Sequence, residues 1–78
     1  MNEETANAIT DLISSLEESL PPLFDRKAAV KALNGIVSIK ALSNADANGV
    51  GPKIKMRIGK KVIYDRTSFL EWLRYRIR

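Results

Sequence analysis

Two consecutive prolines, Pro21 and Pro22, constrain this chain more than any other feature. Proline has no amide to donate and restricts the residue before it, so no helix runs through this point. Upstream of the break, Ile9, Leu12, Ile13, Leu16 and Leu20 recur at steps of three and four, which predicts an amphipathic helix over residues 3 to 20. Asp11, Glu17 and Glu18 fall off that stripe. Charge divides at nearly the same place. The first 25 residues carry six acids and no lysine or arginine, a balance of −6. All 13 lysines and arginines lie between Arg26 and Arg78, opposed by Asp46, Asp65 and Glu71, a balance of +10. The sequence therefore predicts an acidic helical segment over residues 1–22 and a basic domain over residues 23–78.

A segment so strongly basic repels itself and attracts polyanions. Nucleic acid is the partner this favours; a solvated basic face that keeps the protein soluble is the plainer alternative. With 78 residues the chain has room for one core and buries only about 60% of its unfolded surface. It contains neither cysteine nor histidine, which removes zinc fingers, thiol nucleophiles and imidazole bases. Glu3 with Glu4 and Glu17 with Glu18 lie on an exposed helix without a cleft, so paired-carboxylate chemistry is not expected either. We expect no enzyme, no metal, no cofactor and no small-molecule substrate. No apolar run approaches the roughly 20 residues that span a bilayer, and the acidic start is the reverse of a secretory signal. A cytoplasmic location without a membrane partner is the expectation.

Downstream of the prolines, Asp25 is a good N-cap for a short helix to about Leu33, closed by Asn34 and Gly35. Ser38 caps a second short helix from Ile39 to about Ala47. Small Ala28 and Ala29 sit where two such helices must approach, the makings of a helix-turn-helix. After Gly49, Val50, Gly51 and Pro52 the pattern alternates: Lys53, Ile54, Lys55, Met56, Arg57, Ile58. Gly59 and Lys60 suit a tight turn, and Lys61 to Tyr64 return, which predicts a basic β-hairpin. A two-residue loop sets Met56 opposite Ile63 and a three-residue loop sets it opposite Tyr64. The sequence does not choose. Asp65 then caps a last helix whose apolar face is Phe69, Leu70, Trp72, Leu73 and Ile77, with Phe69 and Trp72 as core anchors. Arg74, Arg76 and Arg78 complement its C-terminal dipole.

The fold class this predicts is α+β, a winged helix-turn-helix with a two-stranded β-hairpin wing, preceded by an amphipathic N-terminal helix. From Leu23 to Leu73 the chain resembles the small helix-turn-helix proteins of phages and integrative elements, the excisionase and AlpA-type group related to the MerR-like winged helix. The resemblance is carried by Leu23 to Ala29, by Leu42 to Asp46 running into Gly49-Val50-Gly51-Pro52, and by Arg57 to Tyr64 leading to Phe69-Leu70-Glu71-Trp72-Leu73. It implies a sequence-specific double-stranded DNA-binding accessory factor of a prophage or mobile element, either an excisionase-like recombination directionality factor or a transcriptional regulator. It also implies base-reading roles for Ser38, Lys40, Ser43, Asn44 and Ala47. Helix geometry agrees, since Ile39 and Leu42 are expected inward and a step from Lys40 reaches Ser43, Asn44 and Ala47. Asparagine pairs with adenine and lysine with guanine.

This second helix carries a single cation, so most affinity should come from phosphate contacts. Arg26 and Lys27 at the start of the first helix, and Lys53, Lys55, Arg57, Lys60 and Lys61 on the wing, are the residues expected to make them. Those wing cations would equally serve to blunt an exposed strand edge. Asp46 is expected to satisfy backbone amides of the Gly-Pro turn. The alternative function is a protein-protein interaction module acting through the acidic N-terminal helix, which would pack in cis, self-associate, or dock on a recombinase or polymerase.

Overall fold

The break at Pro21 and Pro22 ends helix α1 (Glu3–Ser19) in the computed structural model, which describes residues 2–77. Arg78 lies outside the described residues. At the start of α1 the Asn2 side chain accepts from the Thr5 amide at 2.8 Å, and Glu3 and Glu4 complement the helix dipole. The chain then becomes extended and forms a strand the sequence does not announce, β1 (Leu23–Asp25). Three residues are too few to display an alternation. Asp25 ends that strand and caps α2 (Arg26–Ala32), accepting from the Ala28 amide at 2.8 Å.

Helix α2 and helix α3 (Ile39–Ala47) end in the same way. At α2, Asn34 and Gly35 have φ of 57° and 78°, and the Gly35 amide reaches back to the Val30 carbonyl at 2.9 Å. At α3, Gly49 has φ of 72° and the Val50 amide reaches the Ala45 carbonyl at 2.9 Å. Both are Schellman closures, in which a left-handed residue turns the chain back onto the last helical carbonyls. Between them, Ser38 Oγ accepts from the Ala41 amide at 3.0 Å and starts α3 as expected.

The hairpin consists of β2 (Lys55–Ile58) and β3 (Lys61–Asp65), followed directly by α4 (Arg66–Arg76). Met56 pairs with Ile63, so the loop is the two-residue Gly59-Lys60, with Gly59 at φ 62°. Lys53 and Ile54, expected in the strand, precede it: the Ile54 amide donates to Ser68 Oγ at 2.8 Å instead of joining the ladder. The hairpin is not two-stranded by itself, because β1 pairs antiparallel with β3 and gives a three-stranded sheet in the order β1-β3-β2. The architecture is thus a small α+β fold of four helices and one antiparallel sheet.

Phe24, Tyr64 and Phe69 form the centre of the core, with Phe24 edge-on to Phe69 at 5.1 Å between ring centroids. Leu42 reaches them from α3, Leu16 from α1 and Leu20 from the cap that follows it. Residues 1–22 and 23–78, divided by charge, therefore share one core. Trp72 packs on Phe69 from the half-buried rim, where its Nε1 donates to the Val50 carbonyl at 2.7 Å and the Arg76 guanidinium lies 5.1 Å from its ring. At the end of α1, Arg66 Nη1 donates to the Leu20 carbonyl at 2.9 Å.

Candidate nucleic-acid interface

Helix α3 meets the core through Leu42 and Ala45, which leaves Lys40, Asn44 and Ala47 exposed on the opposite face and Ser43 half-buried on the flank. Ser38 is exposed at the cap. Ile39 departs from expectation: it is 49% exposed, not inward. Ile39, in the first turn of α3, lines with Val62 a cleft facing the hairpin tip.

That cleft, about 400 Å³, is bounded by Asp25, Arg26, Lys27, Ile39, Lys60, Lys61 and Val62. The tight Gly59-Lys60 turn brings the tip lysines towards the start of α2 and gathers four of the seven cations expected to meet phosphate. Lys61 Nζ lies 3.4 Å from Asp25 Oδ2. Asp25 is held below the usual carboxylate range, first by the Ala28 amide and then by Lys61. Lys55 and Arg57 belong elsewhere. Their partners in the ladder are Tyr64 and Val62, so both lie on the core-facing side of the sheet, the side of α3. Lys53 is apart from both groups, beside Gly51, Glu71, Trp72 and Tyr75.

Asp46 does not bind the amides of the Gly-Pro turn. Its Oδ2 accepts from Arg26 Nη2 at 2.7 Å and from the Tyr64 hydroxyl at 2.6 Å, while Arg26 Nε donates to the same hydroxyl at 3.0 Å. The register of β3 aims Tyr64 inward at this position, and Arg26 at the start of α2 reaches the same carboxylate oxygen. Burial, reinforced by donation to Asp46, pushes the Tyr64 hydroxyl up to about 12. The bond to Asp46 raises Arg26 above its ordinary value. Arg26, expected as a phosphate contact, is thereby engaged inside the protein. The sequence signal for this triad was slight: a lone acid on a helix flank and a tyrosine at an inward strand position.

Among the described residues, no group of three or more carboxylates comes together to hold a metal, and no helix is long and apolar enough to cross a membrane. Compared with known proteins, the chain matches no protein-family model, no curated protein and no solved structure.

Proposed function

We propose that this chain is a sequence-specific double-stranded DNA-binding protein, with α2 and α3 as its helix-turn-helix and the β2–β3 hairpin as its wing. Lys40, Asn44 and Ala47 read base edges from the exposed face of α3, flanked by Ser38 and Ser43. Lys27, Lys60 and Lys61 hold the backbone from the cleft, and Arg57 from the wing. The observation that carries the reading is the exposed, uncovered face of α3 standing beside a cleft walled by lysines from two elements. Such an arrangement supplies both of the contacts DNA recognition needs, positioning on phosphate and readout of bases. The biological use that follows is an accessory factor of a prophage or mobile element, an excisionase-like directionality factor or a transcriptional regulator acting in the cytoplasm.

Fluorescence anisotropy of a labelled random duplex at several salt concentrations tests it. A linear fall of log K with log salt at a slope of about −3 to −6 is expected. No binding at the lowest salt would remove the reading. On a site then selected from a random library, Asn44→Ala should cost about 1–3 kcal/mol, and an equal loss on random DNA would eliminate base readout by this residue.

A second reading, protein interaction through α1, draws on a different observation. Leu12 is 42% exposed and Ile36 86% exposed, at an apolar groove shared with Leu33, Val37, Leu73 and Ile77. Sedimentation of the protein without DNA, alone and with a recombinase or polymerase, distinguishes self-association and docking from a bare surface.

A further inference from the structure

Asp46 is an unusual residue for the base of a DNA-reading helix. Its side chain is 6% exposed, and one of its oxygens, Oδ1, has no hydrogen-bond partner. Lys55 Nζ stands 3.9 Å from that oxygen, on a side chain 42% exposed. Gly51 closes the other side: a Cβ there would collide with Oδ1 and lie 3.1 Å from the Asp46 amide nitrogen. The carboxylate is thus enclosed by one fixed cation, one loosely placed cation, a phenol and a glycine that leaves it room.

A sheltered carboxylate and a DNA phosphate compete for the same cations. Pulling Arg26 away would leave a buried carboxylate uncompensated, which is strongly disfavoured. An acceptor buried without a donor is also costly, and Lys55, 3.9 Å away, is placed to relieve it. We propose that Asp46 is an internal counterion: it fastens Arg26 and draws Lys55 against α3, keeping both off DNA phosphate and so restraining sequence-independent binding. This rests on the DNA-binding reading above. Sequence-independent binding is almost wholly electrostatic, so withholding two cations weakens it directly, while the exposed face of α3 is untouched. Asp46 is in these terms a positioning residue. It acts through Arg26 and Lys55 and touches no base.

The test compares three full-length chains on the same random duplex: wild type, Asp46→Asn and Asp11→Asn. The asparagine at 46 keeps the shape and an acceptor but loses the charge; Asp11, exposed on α1, supplies the same change of net charge at a remote place. Asp46→Asn should steepen the salt slope by about one to two units beyond Asp11→Asn and bind random DNA several-fold more tightly at low salt. Identical slopes for the two variants would overturn the inference, since net charge alone would then explain both. If Asp46→Asn does not fold by circular dichroism, Gly51→Ala decides, because it displaces the carboxylate without changing any charge. A slope steeper by about one unit is expected from it, and an unchanged slope overturns the proposal. Failure of the wild type itself to bind would instead mark the failure of the DNA-binding reading.

Discussion

Helix α1 and strand β2 carry opposite charges and are held to the fold by opposite means. The last turn of α1 and the Leu20 that caps it place Leu16 and Leu20 in the core at 4% exposure each, and Arg66 ties down the Leu20 carbonyl. Every residue of β2 is exposed, including Met56 and Ile58, and the strand is held by pairing with β3 and by the approach of Lys55 to Asp46. Apolar burial makes α1 part of the scaffold despite its acidity. Strand β2 contributes little burial and can carry charge with little structural consequence. Elements that stand out from a core without supporting it are where binding residues are accommodated.

Several measurements would break or sharpen that contrast. The largest expected effect is from Leu16→Ala, a loss of about 2–5 kcal/mol in urea unfolding, because a buried leucine is replaced by a cavity. A loss under about 1 kcal/mol would mean that α1 docks only loosely and that the charge boundary is also a structural one. Next comes alkaline pH. The native chain holds the Tyr64 proton more tightly than the unfolded chain, whose tyrosine titrates near 10. Stability should therefore fall as pH rises from about 10 towards about 12, the native value of Tyr64. Tyr64→Phe should flatten this fall in thermal melts, and an unaltered alkaline limb would dissociate Tyr64 from it.

At the hairpin tip the expected effect is on binding and not on stability. Lys60→Ala with Lys61→Ala should lower the salt slope of duplex binding by about one to two units. The same double variant should leave unfolding within about 0.5 kcal/mol. An unchanged slope would remove the hairpin tip from DNA binding. The smallest effect is expected from Met56→Ala, about 0.5 kcal/mol or less in the same urea experiment. A loss comparable to Leu16→Ala would show that β2 supports the core after all.

Local chemistry made much of this legible beforehand. Asp25, Ser38 and Asp65 were recognisable as caps because a short oxygen-bearing side chain before an apolar run satisfies helix amides wherever it stands. Asn34, Gly35 and Gly49 were recognisable as helix ends, since few other residues accept a left-handed turn. Other features depended on partners distant in the chain. Strand β1 is three residues whose conformation is decided by β3, roughly forty positions away in sequence and adjacent only after folding. The exposure of Ile39 and the engagement of Arg26 depend on where the core ends and which carboxylate lies within reach.

The sequence by itself determined the break at Pro21-Pro22, the order of helices and hairpin, and the concentration of positive charge after Asp25, because backbone restriction, capping and net charge are properties of neighbouring residues. The tertiary structure alone decided that the acidic helix joins the core, that the loop is Gly59-Lys60, and that Asp46 faces Arg26, Tyr64 and Lys55. Those are meetings between segments far apart in the chain, and packing, not local preference, selects among the meetings that local preference allows.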